Sequence, residues 1–279
     1  MDPTTQQTPS PIRIAAATTP SPTNAIQANL QRTIHWTHKA KTAGATVVCF
    51  PELNITGYNP RDPRRTASLA QSIPGPVTDQ LRNLAADTGL IILAGMTEHN
   101  PAGLPYATHC VLHPDGRIER YRKLHIAPPE KQCFQAGDTI PVFHAPTATF
   151  GIQLCYDAHF PELATAMTAR GATILFMPHA SPHGDPITKN RSWQRHLPAR
   201  AFDNSIFIVA CNQAGDNNSG LTFPGNALIL GPDGHPIAQK ETCEEGILIA
   251  DLKIETLQAV RNHPMRHFFP NRRPELYTK

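Results

Sequence analysis

Charge is scarce in this sequence: only 17% of its 279 residues are Asp, Glu, Lys or Arg, and they leave a formal net charge of +3. A surplus that small, spread along the chain, argues against nucleic acid or an anionic membrane as the main partner. Long apolar runs are missing as well. The longest, at 90–95, 174–177 and 206–211, fall far short of the ~20 residues that span a bilayer. The amino terminus has no basic stretch followed by an apolar core, and it is rich in Pro, Thr and Gln. Residues 1–11 therefore read as a flexible tail and the protein as cytoplasmic. Close C-x-x-C pairs are absent among Cys49, Cys110, Cys133, Cys155, Cys211 and Cys243, which argues against a zinc or redox site and for mostly reduced, buried thiols.

Proline is plentiful instead. Its 28 residues are roughly double the usual ~5% share, so the chain is full of turns. From residue 12 onward, short β-branched runs alternate with longer Ala/Leu/Gln-rich stretches, the rhythm of an α/β protein. Strands are expected over 13–18, 46–50, 90–97, 107–112, 117–121, 147–154, 173–177, 205–210, 227–230 and 246–250. Helices are expected over 23–43, 77–88, 160–170, 191–203 and 254–260. The helix after Cys155 is the clearest: Phe160, Leu163, Ala164 and Met167 repeat at i, i+3, i+4 and i+7, Pro161 and Glu162 suit a first turn, and Arg170-Gly171 closes it. No linker interrupts 12–260, which reads as one domain. Two turns, His113-Pro114-Asp115-Gly116 and Gly231-Pro232-Asp233-Gly234, lie in similar settings. They point either to two similar layers or to one common turn used twice.

Three stretches could carry chemistry. In the first, an apolar strand ends at Cys155 and a helix start follows within six residues, so the thiol sits on a sharp strand-to-helix turn. Helix-end amides there can lower a thiol's pKa toward the nucleophilic thiolate; the competing reading is one more core cysteine. In the second, Glu52 follows the strand at 46–50 and precedes a loop with Gly57 and Tyr58, at the strand end where α/β proteins keep their chemistry. A lone glutamate there is otherwise a cap or a surface charge. In the third, Lys123 ends a strand and Glu130 lies seven positions on, across a Pro-Pro kink that prevents one continuous helix. Taken singly, these two read as loop charges.

Together the stretches read F-P-E-x-x-x-x-G-Y, then Y-R-K-x-H followed by E-K-x-x-F-x-x-G, then C-Y-D-x-x-F-P-E. This combination resembles the nitrilase, or carbon–nitrogen hydrolase, superfamily, from about residue 12 to the R-R-P-E-L-Y tail. The resemblance implies a four-layer α-β-β-α sandwich. It also implies Glu52 as general base, Lys123 as the cation that stabilises the oxyanion, Cys155 as nucleophile and Glu130 as a second, orienting glutamate. Attack on an unactivated amide needs those groups: a sulfur nucleophile, a carboxylate to take its proton and donors aimed at the developing oxyanion, the second being the backbone N–H of Tyr156. No metal or organic cofactor is called for.

Residues past the nucleophile divide the superfamily. Relatives that hydrolyse N-carbamoyl amino acids look like C-N-D-R-R-x-P-E, with an arginine pair gripping the substrate carboxylate; Ala158 and His159 stand in those places here. Nitrilases look like C-W-E, whereas this chain has the C-Y-D of amidase-like branches. The resemblance therefore favours a small linear amide, hydrolysed to acid and ammonia through a thioester, over N-carbamoyl amines and then nitriles. The outside alternative is a non-catalytic binding protein on the same fold. The low net charge agrees with an uncharged or weakly charged substrate. Tyr58, Tyr156, His159, His179 and Ser181 are the expected substrate-binding residues, and Trp193 reads rather as core. His179 and His183 are four apart, but Pro178 and Pro182 exclude the helix that would make them a metal pair. The basic, aromatic run from Arg261 could suit single-stranded nucleic acid. Relatives whose tails end similarly favour residues 261–279 as an arm packing on a partner subunit, hence a homodimer or higher homo-oligomer.

Overall fold

The computed structural model describes residues 11–277, so most of the expected tail at 1–11 lies outside the described residues. Strand β1 (Ile12–Thr18) shows how the layers arise. Ile12, Ile14 and Ala16 turn to one face and join the core between two sheets, while Ala15 and Ala17 turn to the other and pack under helices. Period-two alternation with both faces apolar is what a strand covered on both sides requires.

The first half continues with α1 (Ile26–Thr42), β2 (Val47–Cys49), α2 (Pro63–Ser68), α3 (Pro76–Thr88), β3 (Ile91–Glu98), β4 (Tyr106–Leu112) and β5 (Ile118–Arg122). The second half holds β6 (Phe143–Ala145), β7 (Ala148–Ile152), α4 (Pro161–Ala169), β8 (Ile174–His179), α5 (Pro186–Trp193), α6 (Leu197–Asn204) and β9 (Phe207–Asn212). It ends with β10 (Ala214–Asp216), β11 (Thr222–Pro224), β12 (Ala227–Leu230), β13 (Pro236–Lys240), β14 (Gly246–Leu252) and α7 (Ile254–Arg261). One six-stranded sheet runs β14-β1-β2-β3-β4-β5 and the other β13-β12-β9-β8-β7-β6. Pairing is antiparallel, parallel, parallel, antiparallel, antiparallel from β14 to β5, and the same from β6 to β13. The two P-D-G turns close the same hairpin of each sheet, so they mark two layers of one design. β1 lies across from β9 and β12. Helices α1 and α3 cover the outer face of the first sheet, and Leu163, Met167, Trp193, Leu197 and Ala201 of α4, α5 and α6 pack on the second. The result is the single-domain α-β-β-α sandwich expected.

Three local expectations are corrected. The helix expected over 191–203 is two, α5 and α6, because Pro198 has no N–H to continue the ladder and its ring crowds the carbonyl of residue 194. Short strands β6, β10, β11 and β13, together with α2, escaped the sequence reading. β13, with Pro236 at its start and mixed exposure, belongs at a sheet edge. Among the cysteines, all of them free, Cys243 is exposed in the loop before β14 rather than buried.

Candidate active site

The chain leaves β2 through Phe50, whose N–H still bonds Leu93 O at 2.9 Å, and then turns at Pro51-Glu52-Leu53. Glu52 is 1% exposed. Its Oε1 accepts from Lys123 Nζ at 2.8 Å, its Oε2 from the Ala180 N–H at 3.0 Å, and its main-chain carbonyl from Gln213 Nε2 at 2.8 Å. Lys123 directly follows β5, held in line by its N–H on Ala107 O, and is fully buried. Its ammonium also donates to Glu130 Oε2 at 2.8 Å and Oε1 at 3.0 Å. Glu130 closes a 3-10 turn, Pro128–Glu130, and accepts from the Tyr58 hydroxyl at 2.9 Å and the Ala127 N–H at 3.2 Å.

Two carboxylates thus share one ammonium out of water. Burial raises the Glu52 carboxyl, and the Glu130 charge adds to it, so despite Lys123 it titrates at about 7. Burial alone would depress Lys123, but Glu52 and Glu130 outweigh it and hold the ammonium above the ordinary lysine range. Tyr58 is likewise raised by burial and by Glu130, which keeps its hydroxyl a donor.

Cys155 opens a second 3-10 turn, Cys155–His159, between β7 and α4. Its φ is +42°, in the left-handed region where a residue with a Cβ is strained by roughly 1–2 kcal/mol. Buried Asp157 secures the turn: its carboxylate accepts from the Leu154 N–H at 3.0 Å, the Tyr121 hydroxyl at 2.7 Å and the His125 N–H at 2.8 Å. The strain is therefore held by bonds reaching to β5 and the segment after it. Cys155 itself is partly exposed. The expectation of a lowered thiol pKa is corrected: burial, reinforced by Glu52 and Glu130 and only partly offset by Lys123, pushes it up to about 12. A five-residue turn next to two carboxylates is no positive helix end.

The thiol faces a cavity of about 310 Å³ whose wall includes Tyr58, Glu130, Tyr156, His159 and Ser181. His179 does not reach that wall. It is buried, its Nδ1 bonds the Met177 carbonyl at 2.7 Å, and its ring centroid lies 4.8 Å from that of Trp193. Trp193 is a core residue, 2% exposed. His159 stacks on His196, ring centroids 4.5 Å apart. The sequence reading assigned no part to the Asp157 carboxylate or the Ala180 N–H. Asp157 had a signal, its fixed place two residues after the cysteine; a backbone donor arriving from another strand had none. Among the described residues no group of three His, Cys, Asp or Glu side chains is arranged to hold a metal, and no helix is long and apolar enough to cross a membrane.

The carbon–nitrogen hydrolase family model matches residues 13–262. A nitrilase of Pyrococcus abyssi is 32% identical over 247 residues, covering 86% of this chain and 88% of its own. An omega-amidase of Xenopus tropicalis is 31% identical over 261 residues, with 90% and 91% covered. Among solved structures, a mutant of the amidase from Nesterenkonia sp. AN1 with the acetamide moiety of fluoroacetamide added covalently at its active-site cysteine superposes with a TM-score of 0.82. It is 26% identical, and 96% of each chain is covered. Family model, relatives and fold agree: the chain belongs to the carbon–nitrogen hydrolase family.

Proposed function

We propose that the protein hydrolyses a small linear amide, R–CO–NH2, to the acid and ammonia through a thioester on Cys155. The observation that carries this reading is the buried Glu52–Lys123–Glu130 cluster beside a strained, partly exposed cysteine. The amidase and omega-amidase names of the relatives support it.

The thiol is far less acidic than the Glu52 carboxyl, so a free thiolate is not formed first. Sγ attacks the carbonyl carbon as its proton passes to Glu52. The negative charge that develops on the carbonyl oxygen is met by Lys123 Nζ and the Tyr156 backbone N–H. Nζ has three N–H bonds, and Glu130 can share one between its two oxygens, which leaves one for the oxyanion. Glu52 then returns the proton to the departing nitrogen, ammonia leaves, and the thioester remains. Water attacks the thioester while Glu52 takes a proton, and the acid departs as the thiol is restored. Glu130, anchored by Tyr58 and the Ala127 N–H, keeps Lys123 aimed.

Intact-mass measurement during turnover of small amides tests this. Acylation of Cys155 and release of one ammonia per acid are expected; no hydrolysis of any amide, or full activity in Cys155→Ala, would overturn it. Carbon dioxide released with the ammonia would mark N-carbamoyl amines as the substrate instead. The nitrilase name of the Pyrococcus abyssi relative makes nitriles the third arm of the panel. The same reading has the arm beyond 260 cover a second copy, since Met265, Leu276 and Tyr277 are 76%, 64% and 65% exposed. A chain ending at residue 260 should then have a smaller mass in solution by light scattering than deletion of the arm alone explains.

A further inference from the structure

The two donors that meet the oxyanion, Lys123 Nζ and the Tyr156 N–H, come from different sheets. Lys123 follows β5 of the first, and Tyr156 lies in the turn that follows β7 of the second. Among the described residues no strand pairing joins the two sheets, so the distance between the donors is set by what crosses from one to the other.

His125 makes such a crossing. It stands two residues after Lys123 and holds the nucleophile turn at two points. Its N–H donates to Asp157 Oδ1 at 2.8 Å, and its Nδ1 lies 2.8 Å from the same oxygen. A carboxylate oxygen accepts, so the proton of the second bond is on Nδ1. The His125 ring also stacks on Phe160, with centroids 3.8 Å apart and planes 13° from parallel. Asp157 is the middle of the Cys155–His159 turn, and Phe160 is its exit into α4. The contact reaches further, because the Tyr156 ring meets Phe160 edge-on at 5.4 Å. One side chain thus grips the turn from within and at its end, and the turn carries both the thiol and the second oxyanion donor.

The other anchors differ in kind. Tyr121 and Leu154 serve the second oxygen, Oδ2, and both are buried. The His125 side chain is 34% exposed, and it does not line the cavity. Its backbone N–H survives any change of side chain, so the turn stays tied to the first sheet when the ring is removed. What goes is the second bond on Oδ1 and the plate against Phe160.

We propose that His125 is a positioning residue of the oxyanion site: through Asp157 and Phe160 it sets the Tyr156 N–H in register with Lys123. The assignment rests on the amidase reading given above.

The test compares hydrolysis of propionamide with a reaction of Cys155 that forms no oxyanion. Methyl methanethiosulfonate transfers its methylthio group to a thiol, leaving a mixed disulfide on Sγ and releasing methanesulfinate and the thiol proton. In His125→Ala, kcat and kcat/KM for propionamide should fall together by about thirtyfold, with KM within about twofold, because the weakened contact is one made in the transition state. Methylthiolation of Cys155, followed by peptide mass, should stay within about threefold of wild type, since thiol acidity and access are untouched. His125→Asn puts an amide N–H where Nδ1 stood and should recover activity to within about fivefold, whereas His125→Phe keeps the stack without the charge-assisted bond and should stay at least about tenfold down. Full kcat in His125→Ala, hydrolysis and methylthiolation falling alike, or Asn no better than Phe each overturns the proposal. If His125→Ala does not fold, the Asn and Phe variants carry the comparison. Failure of the amidase reading is separable: if the wild type hydrolyses no amide, carbonyl-labelled acetaldehyde decides. Sγ adds to its carbonyl carbon, the thiol proton moves to the oxygen, and carbon NMR reads the hemithioacetal. An adduct on Cys155 that His125→Ala weakens at least about tenfold supports the assignment; no adduct, or one left unchanged, refutes it.

Discussion

The two sheets of this protein share one strand order and one hairpin, and each places a lysine at the far end of its last strand. Lys123, just after β5, is fully buried between Glu52 and Glu130. Lys240, the last residue of β13, is half-exposed and donates to Thr18 Oγ1, Thr242 Oγ1 and the Glu244 carbonyl at 3.2, 2.8 and 2.6 Å. Burial lowers Lys240, whereas carboxylates raise Lys123. The scaffold delivers a lysine twice, then, and the loops decide which one is buried between carboxylates. The carboxylates come from the turn after β2 and the turn after β5, and the corresponding exit from β8 supplies an N–H donor, Ala180, in place of a second acid.

The contrast can be broken by substitution, and the largest effect is expected at the proposed nucleophile, which follows β7 of the second sheet. Cys155→Ala should lower amide turnover by at least about 10⁴-fold, as loss of a nucleophile does; ammonia release measured on purified protein checks this. Lys123→Met should both silence the enzyme and leave two buried carboxylates uncompensated, costing about 3–5 kcal/mol in denaturant unfolding. A loss of activity at unchanged stability would mean that Lys123 does not hold the cluster together. Glu52 should give the pH profile its rising limb. Its folded pKa is raised to about 7, and only the deprotonated form can take the thiol's proton. The rate constant kcat/KM should therefore rise about tenfold per pH unit up to roughly 7 and level off above it; a limb near the ordinary glutamate value would contradict this. Tyr58→Phe removes one bond to Glu130 and should cost about 1 kcal/mol, a fivefold to tenfold loss in kcat/KM. Least of all, Lys240→Met should leave turnover intact and shift stability by about 1 kcal/mol or less. A large effect on turnover would remove the asymmetry between the sheets.

Much of this was legible in the sequence because it is local. Alternating β-branched runs announced ten of the strands, and the i, i+3, i+4, i+7 pattern after Cys155 announced α4. Glu52, Lys123, Glu130 and Cys155 could be named because each follows a strand in a distinctive string. Non-local facts were not visible. Lys189 reads as an ordinary helical charge, since nothing in P-I-T-K tells that α5 turns it inward against Ser181. His179 looked like a pocket residue from its place after a strand, yet its rotamer tucks it under the wall against Met177 and Trp193. The rise in the thiol's pKa depends on carboxylates 103 and 25 positions away in sequence, Glu52 and Glu130, whose proximity only the packed sheets create.

The hairpin turns have a practical side. The His113–Arg117 closure stands at the start of β5 and Lys123 at its end, so five strand residues, about 17 Å at ~3.3 Å each, separate the two. Gly116 there, at φ +88°, has open space around the position of an added Cβ. A fluorophore or affinity tag inserted at this turn would travel with the sheet while leaving the cavity untouched, and could report on folding, assembly and acylation in the same working enzyme.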